Sequence, residues 1–185
     1  MRITFVARMR NFSSKGSDFL AVRALESRDI ESILAIQFAC PEIAQWTAHD
    51  YERVVRGEMN GWISANANVA HSAPALESPP VEAVLPPSRD VNGFLVARRL
   101  ATEVEILNFA VRPDVRRAGV GAALLQTVMQ WARSSSAEQA ILEVRSANQT
   151  ALRFYERHKF QIVGRRRNYY GSPTDDALLL SLRIV

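Results

Sequence analysis

Glu143, Asn148 and Tyr155 are three side chains whose types and spacing could do chemistry together. Glu143 sits in the short apolar run 140–145, which the pattern predicts as a strand. Asn148 follows that run, and its side-chain oxygen can accept the first free amides of a helix. The stretch 149–158 contains no glycine or proline, and Ala151, Leu152, Phe154 and Tyr155 give it an apolar face. Asn148 and Tyr155 lie seven positions apart, roughly two helical turns, so both project to one side. A carboxylate, an amide and a phenol converging on one cleft would supply a general acid–base pair. The same residues also suit an ion pair from Glu143 to Arg145 or a neighbour, a helix cap and a half-buried core tyrosine.

A second feature precedes this one. Arg116, Arg117, Ala118, Gly119, Val120, Gly121 and Ala122 run directly into a helical pattern with Leu124, Leu125, Val128, Trp131 and Ala132 on its apolar side. Glycines at a strand-to-helix turn let the backbone approach an anion, and the helix dipole adds partial positive charge there. The two arginines offer fixed charge. A dinucleotide fingerprint is excluded, because the third glycine and the acidic residue about 20 positions on are absent.

Composition bounds the class. The 185 residues are 48% apolar and 23% charged, with a net charge of +4, values of an ordinary globular chain that permit an acidic partner without demanding one. The single cysteine, Cys40, excludes an internal disulfide and fits a cytoplasmic setting. The three histidines show no zinc spacing, so no metal is expected. No apolar run reaches the roughly 18–20 residues of a membrane span. The reading is a flexible extension over 1–17, with Met1 or Met9 as the start and no signal peptide, then one domain over 18–185. Within it, 72–90 holds five of the eight prolines and reads as an exposed loop.

The elements that must position these residues follow in order. Strands are expected over 19–23, 62–69, 93–99, 102–111, 140–145, 160–167 and 177–184. Ser27 or Asp29 should cap a first helix carrying Ile30, Ile33, Leu34, Ile36 and Phe38, and Thr47 a second with Tyr51, Val54 and Val55 inward. The strand 102–111 is apolar on both faces, with Ile106 and Ala110 on one and Leu107, Phe109 and Val111 on the other, which marks a central strand. The segment 168–176, with Tyr169 and Tyr170, reads as a polar, aromatic loop. This alternation of strands and helices is α/β with a mixed sheet.

In this order the segments resemble the GNAT superfamily of acetyl-CoA-dependent N-acetyltransferases over roughly 19–185. Within it they are most similar to the RimI-type enzymes, which acetylate the N-termini of ribosomal proteins. Three pieces carry the narrower likeness: Leu107 to Pro113; Leu142 to Asn148 with Ala151 and Tyr155; and Arg166 to Tyr170 followed by Pro173 and Asp175 to Leu178. Trp46, Thr47 and Tyr51 match a shorter pattern.

The resemblance implies a mostly antiparallel sheet of about seven strands, splayed between the fourth and fifth, with helices on both faces. It implies acetyl-CoA as co-substrate, with no metal, and a protein N-terminus as acceptor, a ribosomal protein being the candidate; no membrane or specific nucleic acid is implied. Pantetheine should lie along Phe109, Ala110 and Val111, the pyrophosphate on the amides of 117–122, and Asn148 should bond the cofactor. Glu143 would be the base, Tyr155 the acid, and Trp46, Tyr51, Tyr169 and Tyr170 would line the peptide entrance. Glu105 is the alternative base. Acetylation of a small amine or a lysine, and a non-catalytic acetyl-CoA-binding module, are the competing readings. Lys159 stands where the family usually has glycine, which asks for a left-handed residue with a side chain.

Overall fold

The computed structural model describes residues 20–66 and 91–184; the expected extension over 1–17 and the proline-rich segment 72–90 lie outside the described residues. The elements are β1 (Leu20–Ala24), α1 (Ile30–Phe38), α2 (Ala48–Val55), β2 (Asn60–Asn66), β3 (Val91–Leu100), β4 (Glu103–Val111), α3 (Val120–Ser134), β5 (Gln139–Arg145), α4 (Gln149–Arg157), β6 (Gln161–Gly171) and β7 (Thr174–Arg183). The strands form one seven-stranded sheet in the order β1-β2-β3-β4-β5-β7-β6. Every neighbouring pair is antiparallel except β4 and β5, which run parallel.

Two cores cover the two faces. On one, Ile33 and Ile36 of α1 and Tyr51 and Val54 of α2 pack on Ile63, Phe94, Val96 and Ala110. On the other, Leu124, Leu125 and Val128 of α3 and Tyr155 of α4 pack on Leu95, Val104, Ile106 and Leu142. Local chemistry sets the helix ends. Thr47 caps α2 by accepting the Asp50 amide while Asp50 takes the Thr47 amide back, a reciprocal cap worth about 1 kcal/mol. Gly57 follows α2 at φ +89°. Phe38, placed inward by helical spacing, is 88% exposed because α1 ends on it. Lys159 does adopt the left-handed conformation, at φ +70°, a cost on the order of 1 kcal/mol.

Two features of the sheet bear on the site and depart from the sequence expectation. The ladder between β3 and β4 shifts so that Val96 faces Asn108 and Ala97 faces Ile106, leaving Leu107 as an extra residue. This β-bulge reverses the parity of β4. Ile106, Phe109 and Val111 share the α3/α4 face, while Leu107 and Ala110 meet the α1/α2 core; the period-two grouping of Ile106 with Ala110 is thereby corrected. Bulges bend the strand that carries them, and the pairing of β4 with β5 stops at Ile106 and Leu142, one residue before the bulge. The splay expected between the fourth and fifth strands is this loss of pairing.

The second difference is at the C-terminal hairpin. The expected loop 168–176 is mostly strand: β6 runs through Tyr169 and Tyr170 to Gly171, and β7 starts at Thr174. Its polar residues do the holding. The Asn168 amide donates to Asp176 Oδ1 at 2.7 Å, and the Ser146 hydroxyl and Ala147 amide donate to Asp175 at 2.6 and 3.2 Å.

Candidate active site

A cleft of about 630 Å³ opens where β4 and β5 part. Its walls include Phe109, Ala110 and Val111 of β4, the turn residues Arg116, Arg117, Gly119, Gly121 and Ala122, and Asn148, Ala151, Phe154 and Tyr155 of α4. Ala118 and Val120 complete the turn; Val120 turns its side chain into the core.

The turn is built for an anion. Arg117 and Gly119 both take left-handed backbone conformations, at φ +66° and +86°. Gly119 stands at the N-cap of α3 with no side-chain cap. Among the described residues no backbone acceptor takes the amides of 119–122, the first bond of this turn being the Ala123 amide to the Gly119 carbonyl. A row of free amides at a helix start, opening on a cleft, suits a phosphate group. The two arginines differ. Arg116 is spent on the fold: Nε donates to the Val111 carbonyl at 3.2 Å, and Nη2 to Cys40 Sγ at 3.1 Å and Glu42 Oε1 at 3.0 Å. Arg117 is exposed on the cleft and makes no ion pair among the described residues.

Cys40 is fully buried. Burial raises its thiol above the ordinary range, against the opposing pull of Arg116.

Asn148 Oδ1 caps α4 by accepting the Ala151 amide at 3.0 Å. Its amide nitrogen takes no part in that cap, and Asn148 lines the cleft. Tyr155 is buried, with the rings of Phe154, Phe160 and Phe109 at 5.3, 5.4 and 6.4 Å. Burial in this aromatic surround pushes its hydroxyl well above the usual phenol range, so it stays protonated at neutral pH.

Glu143 does not line this cleft. It alternates with Leu142 and Val144, whose side chains pack in the α3/α4 core, and so looks to the opposite face from Tyr155. There its Oε1 pairs with Arg166 at 3.2 Å. Arg166 lies over the Tyr169 ring at 5.5 Å, and Arg145 over the Tyr170 ring at 4.0 Å. Tyr170 is pushed up by burial and by the charge of Glu143. The expected carboxylate, amide and phenol thus do not share one pocket; they stand on the two faces of the sheet beside the gap. Glu105, the alternative base, is bound across the ladder by Arg98 at 2.8 and 2.7 Å.

Of the aromatic residues expected at the peptide entrance, Trp46, Tyr169 and Tyr170 retain exposed surface, while Tyr51 does not. Tyr51 is 0% exposed; its hydroxyl donates to Gln37 Oε1 at 2.8 Å and accepts from Asn108 Nδ2 at 3.2 Å. It is a core residue because two buried amides need its hydroxyl. Asn108 itself was missed in the sequence, where an asparagine in a strand carries no periodic signal. It is 4% exposed, and its Oδ1 has no hydrogen-bond partner, a deficit of about 1–3 kcal/mol. Arg153, Arg157 and His158 on the cleft rim were also missed, since charges on a helix read as a solvated face. Burial, and then Arg157, hold His158 below its usual pKa.

A β-sheet parted beside a parallel strand pair, with an uncapped, glycine-bearing helix start at the opening, makes a cleft suited to a phosphate-bearing ligand. Residues 39–160 match the acetyltransferase (GNAT) family, and the chain belongs to it. It is 33% identical over 93 residues to the ribosomal protein bS18-alanine N-acetyltransferase of Escherichia coli, a match covering 49% of this chain and 63% of that relative. An N-alpha-acetyltransferase of Sulfurisphaera tokodaii is 35% identical over 91 residues, 47% of this chain and 54% of the relative. The chain thus spans somewhat under two thirds of the curated relatives it matches. Ard1 from Thermoplasma volcanium superposes with a TM-score of 0.70 at 26% identity, covering 90% of this chain and 98% of the other. The Escherichia coli ribosomal-protein alanine N-acetyltransferase superposes with a TM-score of 0.69 over 89% and 94% of the two chains, at 21% identity, and shows the fold. Among the described residues no group of His, Cys, Asp or Glu side chains gathers as for a metal ion, and no helix is long and apolar enough to cross a membrane.

Proposed function

We propose that this chain transfers an acetyl group from acetyl-CoA to the N-terminal α-amine of a protein. The observation that carries the reading is the opening of the sheet after Ile106 and Leu142, with the free amides of 119–122 beside it. The relatives' printed activities support the α-amine as acceptor. The bS18-alanine enzyme among them favours alanine as first residue, on a ribosomal-protein-like partner.

The residues present fit acetyl-CoA. Amides of 117–122 would take the pyrophosphate, with Arg117 adding charge; Arg116 would hold the turn in place through Glu42 and the Val111 carbonyl. The unpaired edge of β4 at Phe109, Ala110 and Val111 offers main-chain partners for the pantetheine amides, and Asn148 a side-chain donor. When bound, the co-substrate supplies an activated acetyl thioester.

The chain's own groups handle the two protons. Glu143 accepts the proton of the amine, directly or through one water, as nitrogen bonds to the carbonyl carbon. Tyr155 gives its proton to the sulfur as the carbon–sulfur bond breaks. Their placement on opposite faces supports these roles, since acceptor and leaving thiol then lie on opposite sides of the gap. At pH 7, freeing an α-amine of pKa ~8 costs about 1.4 kcal/mol, against roughly 4.6 for a lysine of ~10.4. A carboxylate paired with an arginine brings the first within reach more readily than the second. Tyr169, Tyr170 and Trp46 are the proposed walls for the peptide.

The test is acetyl transfer to short peptides with free Ala, Ser or Met N-termini, each paired with an N-terminally blocked copy containing lysine. Transfer to the free N-termini alone is expected. Transfer to blocked copies would make this a lysine enzyme, and transfer only to small amines would remove the protein substrate.

A further inference from the structure

The buried polar contacts on the α1/α2 side of the gap run in one direction. The main chain of Trp46 holds Gln37 at both ends, its amide donating to Oε1 at 2.9 Å and its carbonyl accepting from Nε2 at 2.7 Å. Gln37 Oε1 also takes the Tyr51 hydroxyl proton at 2.8 Å. With that proton committed, the hydroxyl can only accept, and Asn108 Nδ2 donates to it at 3.2 Å. The same nitrogen donates to the Ala44 carbonyl at 3.1 Å. Turning the Asn108 amide over would set Oδ1 against a carbonyl and against a hydroxyl with no proton left to give. The unpartnered Oδ1 is therefore imposed by main-chain groups at both ends of the relay.

What the relay joins is informative. One end is the segment 40–47, which leads from buried Cys40 to half-buried Trp46. The other is the residue directly after the Leu107 bulge, beside the point where β4 leaves β5. Asn108 lies on the α1/α2 face, opposite the cleft side of Phe109. An apolar residue at 108 would fill this position with no stranded acceptor, yet would let the segment 40–47 and the bulge move independently.

We propose that Asn108 is a positioning residue for the acceptor amine, fastening the Trp46 wall to the β4 bulge so that the passage between them has one fixed width. This rests on the reading of the site as an amine acetyltransferase. Asn108 bonds the segment at Ala44, and through Tyr51 and Gln37 at Trp46, the end away from the co-substrate cleft. Cys40, Glu42 and Ile43 at the other end line that cleft, and Arg116 holds Cys40 and Glu42 there independently of Asn108.

Asn108→Leu keeps the bulk and removes both donor bonds together with the stranded oxygen. Amide hydrogen exchange in 40–47 should speed up, and kcat/KM for a free-amine peptide should fall about tenfold through the peptide KM. The KM for acetyl-CoA should stay within about twofold. Tyr51→Phe cuts the link to Gln37 but keeps the ring on Phe94; it should shift the same two readouts in the same direction by less, and it carries the test if the leucine variant does not fold. Unchanged exchange in 40–47, an unchanged peptide KM, or equal rises in both KM values would overturn the assignment. A parent chain that acetylates no free N-terminus would instead overturn the proposed function, with exchange in 40–47 still deciding whether Asn108 holds the segment.

Discussion

Glu143 is held by a guanidinium 3.2 Å away, on the face opposite Tyr155. Glutamine at 143 keeps an acceptor for Arg166 and loses the capacity to take a proton. Turnover on a free-amine peptide should drop by about 100-fold or more, with the acetyl-CoA KM within about twofold of the parent; equal losses in both would remove Glu143 from the chemistry. The parent's pH profile bears on its partner. Tyr155 is raised by burial, so its acidic form is present below that raised pKa and is lost only above it. Rates should climb toward the amine pKa of ~8 and show no falling limb near the unperturbed phenol value of ~10. The residue scale was partly legible: Asn148 as cap and Tyr155 on the same side followed from helical spacing. What spacing could not reveal was the strand face of Glu143 relative to that helix, or the commitment of Tyr51 to two buried amides.

The start of α3 works through backbone rather than side chains. A Cβ built on Gly119 would meet only Leu20 Cδ1, at 4.0 Å, so space is not what requires glycine there. The requirement is the φ of +86°, which a β-branched residue resists most. Gly119→Val should therefore turn the free amides away from the cleft, and direct titration should show acetyl-CoA binding weakened by about tenfold, with helix content retained. Unchanged affinity would refute the anion cradle. The motif announced this turn well, because left-handed backbone needs particular residues. The sequence did not tell that Arg116 is drawn off to Glu42 and Cys40, two residues more than 70 positions away. Nor did the polar stretch at Tyr169 and Tyr170 announce a strand, since its ladder resumes only at Tyr170 and Asp175, past an irregularity where the Asn168 amide turns to the Asp176 carboxylate.

At the scale of the molecule, the alternation of strands and helices foretold a mixed sheet, the family resemblance implied helices on both faces, and the one parallel pair sits where a helical crossover requires it. The bulge escaped notice because a count by twos has no way to register a surplus residue. Leu107 is that surplus. Without it, Ile106 would be followed by Asn108, Phe109 and Ala110 in ordinary alternation, each already facing the side it faces now. The chain is thus one codon away from an unbulged β3–β4 ladder, which would forgo the contact of Leu107 with the α1/α2 core and let pairing to β5 continue past Ile106. Deleting Leu107 should give a protein that melts no lower than the parent and no longer binds acetyl-CoA; a deleted chain that still binds would show that the opening has another origin. Robustness and activity here pull against each other at a single position, and the sequence has kept the residue that leaves the sheet unfinished.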